Sequence, residues 1–173
     1  MYRDRSGLLT KKNIFSLCFL LLIFINQYGL ASSMGDIASG DRNPTQSIID
    51  FVDKIYHRYS EEDFEFIYEK LHPALKEIIS EKDYIEFQEE NFRKYKLEIG
   101  KIKVGTEILE AELPDKFIDI INIKEEVYTI KVSYEMKFET AGINQDHEND
   151  KDVLVVMEDE KIYLLWDPSV VND

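Results

Sequence analysis

Three observations predict an α+β fold, with N-terminal helices packed on a curved antiparallel sheet of four to five strands. Apolar residues recur at helical spacing from residue 44 to residue 95. After Tyr95 the period changes to alternation, broken by polar turn signals. The last two runs, "DVLVVM" and "KIYLLW", are apolar on both faces, as expected where one face meets helices and the other closes a barrel-like interior. Helices first and hairpin-linked strands afterwards is the order of a layered α+β domain.

The elements follow in order. Pro44 suits a first helical turn. Ile48, Val52, Ile55 and Tyr59 then form a stripe that Ile49 and Tyr56 widen. Ser60 is read as the N-cap of a second helix, with Glu61, Glu62 and Asp63 in its first turn and Phe64, Ile67, Tyr68 and Leu71 inward. His72-Pro73 ends that helix, because the residue before proline leaves the helical region. "PALKEII" is a short helix with Leu75, Ile78 and Ile79 inward, and Ser80 caps a last one bearing Tyr84, Ile85, Phe87, Phe92 and Tyr95.

Strands follow. Ile102, Val104, Thr106 and Ile108 alternate with Lys103, Gly105 and Glu107, and "FIDIINI" from Phe117 is read as another strand. In the clearest strand Tyr128, Ile130, Val132, Tyr134, Met136 and Phe138 face one way, and Thr129, Lys131, Ser133, Glu135, Lys137 and Glu139 the other. "TAGINQDHENDK" is read as a polar loop, and a turn at Glu158-Asp159-Glu160 joins the last two strands.

The start of the chain gives an address. A basic stretch ending "TKKN" leads into twelve apolar residues, Ile14 to Ile25, then the small residues of "GLASS". That run fits a signal-peptide core and falls short of the ~20 residues that span a bilayer. Residues 1–33 are therefore read as a signal peptide cleaved after Ala31 or Ser33, the alternative being an uncleaved anchor as the sole membrane attachment. Cys18 lies inside the apolar run, so lipidation there is not expected and the mature domain carries no cysteine. Residues 34–43 form a small, polar tether, and 44–173 one domain. The protein is expected to be exported, secreted or in a bacterial cell envelope.

The chain has a net charge of −14 over 173 residues. Its first 33 residues hold four of the 21 basic and one of the 35 acidic residues, leaving 17 against 34 in the remainder. A body so acidic repels nucleic acid and anionic lipid, so neither is expected as a partner.

"VMEDEKIYLLWDPSVV", Val156 to Val171, resembles the end of a cone-shaped α+β domain of the nuclear transport factor two-like superfamily. The nearest likeness is to the non-catalytic N-terminal domain of low-affinity penicillin-binding proteins. Glu158 and Asp159 match that family's acidic turn, Trp166 its second tryptophan, and Asp167, Pro168 and Ser169 its terminal motif. "FETAG", Phe138 to Gly142, is similar to its strand end before a loop. Glu160 stands where the turn has glycine and Ile162 where a first tryptophan is usual, so a wider loop is expected. The resemblance implies a last strand interior to the sheet, with Trp166 plugging one end of the cone. It implies no penicillin-binding activity.

Chemistry-bearing residues are sparse. His57 is expected in solvent beside Asp53 and Lys54, His72 at a helix C-terminus, and His147 in a loop, with no metal spacing among them. Asp146, Glu148, Asp150 and Asp152 alternate, but a calcium loop begun at Asp146 would place Lys151 and Met157 where glycine and glutamate are needed. The alternation is read as solvated. No inward carboxylate is legible, and no catalytic residue, metal or cofactor is assigned. The leading expectation is a non-enzymatic binding or scaffold module towards an envelope protein or cell-wall component. The alternative is a small-molecule pocket lined by Tyr128, Tyr134 and Trp166, in a carrier or an extracytoplasmic isomerase or hydrolase of this fold.

Overall fold

The computed structural model describes residues 44–121, 126–140 and 142–171. The expected signal peptide and tether lie outside the described residues.

Helix α1 (Pro44–Ser60) buries Ile48, Val52, Ile55 and Tyr56 along the predicted stripe. It runs through Ser60, whose hydroxyl donates back to the His57 carbonyl at 2.7 Å. Ser60 therefore does not cap the next helix. Glu62 turns the chain with φ +60, and the Asp63 carboxylate accepts from the Phe66 N–H at the start of α2 (Phe64–Glu69). Helix α3 (Pro73–Lys76) ends too soon to keep the helical period, so Ile78 is 53% exposed while Leu75 and Ile79 are buried. Helix α4 (Glu81–Tyr95) starts on Ser80, whose Oγ accepts from the Asp83 N–H and donates to the Asp83 carboxylate.

Four strands follow: β1 (Glu98–Glu110), β2 (Glu126–Thr140), β3 (Ile143–Glu158) and β4 (Lys161–Leu164). They form one antiparallel sheet in the order β1-β2-β3-β4. The fold is α+β, helices followed by this open meander. β1 carries two register shifts against β2, between Gly100 and Lys103 and between Val104 and Ile108, which interrupt its alternation. Gly105 sits where an added Cβ would meet the Lys131 carbonyl oxygen at 3.0 Å.

Four expectations about the sheet need correction. "FIDIINI" begins as a helix, not a strand: α5 (Asp115–Ile118) follows Pro114 and buries Phe117, and residues 122–125 lie outside the described residues. The polar stretch after Thr140 is the first half of β3. Thr140 pairs directly with Ile143, and Gly142 takes φ +79, so the chain reverses at once and β2 stays in register with β3 for its whole length. The turn before β4 is not widened by Glu160: Glu158 pairs with Lys161, and Asp159 and Glu160 both adopt left-handed backbone, φ +47 and +64. Finally, β4 is an edge strand rather than an interior one.

That edge is closed by the chain between α2 and α3. Leu71 bridges Leu164 in parallel, the Leu164 N–H donates to the Lys70 carbonyl at 2.8 Å, and the His72 N–H donates to the Leu164 carbonyl at 3.1 Å. After β4, Trp166 lies outside the ladder, and a 3-10 turn (Pro168–Val171) buries Pro168 and Val170.

The helices cover one face of the sheet. Ile130, Val132, Tyr134, Met136 and Phe138 of β2 are buried there with Val153 and Val155 of β3, as the alternation predicts. Near β4 the opposite face is buried as well, through Val127, Leu154 and Val156. Each such side chain stabilises by about 1.5–3 kcal/mol, so this end of the sheet, buried on both faces, contributes more than the distal end.

Candidate functional site

The residues expected to line a pocket lie in three different settings. Tyr134 is buried on the helix-covered face, its ring 5.7 Å from that of Tyr56, and burial pushes its phenol up to about 12. Trp166 is half-buried against α4, edge-on to Tyr84 at 4.9 Å and to Phe87 at 6.0 Å. Tyr128 is half-buried near the start of β2, and its hydroxyl donates to the Glu126 carboxylate. Burial first, then that bond, raises its phenol.

The space beside Tyr134 is occupied by aromatic and amide side chains. Tyr59 packs edge-on to Phe64 and Phe92, and its hydroxyl donates to Gln88 at 3.2 Å. Burial holds the hydroxyls of Tyr56, Tyr59 and Tyr84 well above the usual phenol range, so they act as neutral hydrogen-bonding groups. Gln88 is 4% exposed, and no sequence signal marked it: an isolated glutamine on a helix reads as solvated until a buried hydroxyl is found to need it. A cleft of about 480 Å³ opens elsewhere, lined by Glu62, Glu89, Phe92, Arg93, Lys96, Leu97 and Glu98.

One buried carboxylate lies beyond the reach of strand alternation because it follows the last strand. Asp167 is 6% exposed, accepts from the Ser169 N–H at 3.0 Å and the Ser169 hydroxyl at 2.7 Å, and pairs with the Lys116 ammonium at 2.9 Å. Burial works to raise its carboxyl, and the Ser169 and Lys116 bonds overcome it, leaving the group below its ordinary range. The Asp167-Pro168-Ser169 motif was visible in sequence; its serine closes an Asx turn. Lys151 of β3, opposite Val132 and so on the helix-covered face, is half-buried. Burial and the Lys116 charge lower its ammonium to about 8.

The opposite face of the distal β2–β3 ribbon differs. Asp146, Glu148, Asp150 and Asp152 are all exposed and share one face of β3, about 7 Å apart by strand geometry. Their β2 partners are Lys137, Glu135, Ser133 and Lys131. Asp150 accepts from the Ser133 hydroxyl at 2.6 Å and Asp152 lies 3.8 Å from Lys131. Glu135 pairs with Lys101 of β1, which holds its carboxyl low, and the charges of Glu148 and Asp146 also act on Lys101. Regular backbone has turned an apparent loop into an ordered row of carboxylates. Among the described residues no three or more His, Cys, Asp or Glu side chains converge so that they could hold a metal ion.

The histidines separate. His57 is exposed, 3.6 Å from Asp53, as expected. His147 is not in a loop; it lies in β3, stacked on Phe138 at 5.4 Å. His72 does not serve a helix C-terminus. It is the N-cap of α3, with Nδ1 accepting from the Ala74 N–H at 3.2 Å, and it is 7% exposed.

No helix among the described residues is long and apolar enough to cross a membrane. No protein-family model matches this chain, and no curated protein matches it.

Proposed function

We propose that this protein is an exported, non-enzymatic binding or scaffold module of the cell envelope, and that the distal face of its β2–β3 ribbon is the contact surface for a basic segment of an envelope protein. One observation carries the reading: Asp146, Glu148, Asp150 and Asp152 stand in a single exposed row on a strand whose partner buries its other face under helices. A fixed row of like charge on rigid backbone loses little entropy on binding, and it steers a positively charged partner into register. Export rests on the N-terminal basic and apolar segments, and the resemblance to a non-catalytic envelope domain agrees with it.

The test replaces all four carboxylates at once, D146N/E148Q/D150N/D152N, in the full chain expressed in its own host. Co-purification of a basic envelope protein should fall by about tenfold or more, with circular dichroism unchanged. Undiminished capture overturns the surface.

A further inference from the structure

His72 ties the start of α3 to β4 through three contacts. Its backbone N–H closes the β4 edge on Leu164, its Nδ1 caps α3 through Ala74, and its ring lies edge-on to Tyr163 at 5.5 Å. Because the Ala74 N–H donates to Nδ1, the neutral ring carries its proton on Nε2. Nε2 is buried without a hydrogen-bond partner, and the Glu158 carboxylate lies 3.7 Å away. A buried polar atom left this way is uncommon in a folded core.

We propose that His72 is an acid-sensitive latch, whose protonation at Nδ1 frees the start of α3 and opens the backbone pairing that closes the β4 edge. A second proton on the ring must sit on Nδ1, where it meets the Ala74 N–H head-on. The cap is then lost, and the ring must turn to relieve the clash. Turning brings the charged Nε2–H towards Glu158 and drags the backbone that holds Leu164. The carbonyl of Leu164 and its N–H, paired with His72 and Lys70, then become available to another strand.

The surrounding charges set the direction. Glu158 comes from the end of β3 and Tyr163 from β4; Lys161, the ladder partner of Glu158, is exposed; Lys76 on α3 is held at the Glu69 carbonyl. Burial lowers the His72 imidazole below its ordinary 6.5, and Glu158 offsets part of that. The unfolded chain therefore binds this proton more readily than the folded one. Stability from the neutral latch is full above pH 6.5 and falls as pH drops towards the folded value.

The experiment uses the full chain with H57N/H147N, both exposed, which leaves His72 as the single imidazole signal in a proton NMR titration. The expected midpoint lies below 6.5, and the His72, Ala74 and Leu164 amides lose exchange protection across the same transition after correction for intrinsic rates. A midpoint at or above 6.5, or amides that keep their protection through it, overturns the latch. H72N supplies the second arm. Asparagine is a good N-cap that does not titrate, so its edge amides should hold protection between pH 7 and pH 5. Loss of protection in H72N equal to that of the parent chain would also overturn the proposal.

Discussion

The two halves of the β2–β3 ribbon share one backbone ladder and differ in the side chains that β3 adds to it. In the half next to β4, Val127, Leu154 and Val156 are buried on one face and Ile130, Val153 and Val155 on the other. In the distal half, β2 still buries Tyr134, Met136 and Phe138, whereas β3 offers Asn149, His147 and Gln145 on that face and acids on the other. The ladder is continuous because backbone hydrogen bonds do not depend on side chains. The energy is not, because it follows buried apolar area. One half of β3 is core, and the other is surface held in register by the buried face of β2.

The largest break in that comparison is expected from Leu154→Ala set beside Asp150→Ala, two positions of the same parity on one strand. Leu154→Ala should cost about 2–4 kcal/mol by leaving a cavity, and Asp150→Ala about 0.5 kcal/mol, since its bond to Ser133 is solvated. Urea midpoints of the two variants measure the difference; near-equal values would mean that the ribbon ends share their stability evenly.

A smaller effect tests the chain just beyond β4. Asp167→Ala strips Lys116 of its carboxylate and opens the Ser169 turn, and should cost about 1–3 kcal/mol at pH 7. Because the folded carboxyl lies below its ordinary 3.8, the stabilisation is full above that value and vanishes as pH falls through the folded one. Thermal denaturation of both proteins should therefore converge in acid. A gap that persists unchanged at low pH would assign the cost to packing rather than charge.

The smallest expected effect is a gain. Glu160→Gly relaxes a left-handed residue in the β3–β4 turn and should stabilise by about 0.5–1 kcal/mol, seen as a higher melting temperature with the Glu158–Lys161 register kept. A loss of stability would show that the Glu160 side chain contributes more than its backbone strain costs.

Much of the fold was legible. Helix positions and the β2 alternation came from periodicity, and the Ser80 cap from a serine placed just before a helical run, because these are local preferences within a segment. The misreadings fall where a local signal was weak and a distant partner decided. Residues 143–150 look like a loop by composition, yet β2 supplies a ladder for each of them. Phe117 and Ile118 look like strand, yet Pro114 starts a turn of helix and Phe117 is buried from it. Gln88 and Asp167 were unreadable as buried groups, since their partners Tyr59 and Lys116 stand 29 and 51 residues away.

The sequence by itself determined the acidic body, the basic and apolar N-terminal segment, the order of helices before strands and the inward face of β2. Each is a property of composition or of spacing within a few residues. Only the tertiary structure decided that β4 is an edge, that the four acids of β3 form one exposed row, and that His72 caps α3 while its Nε2 is left without a partner. Those features depend on which distant segments pair, and pairing is set by the burial of the whole core rather than by any stretch read alone.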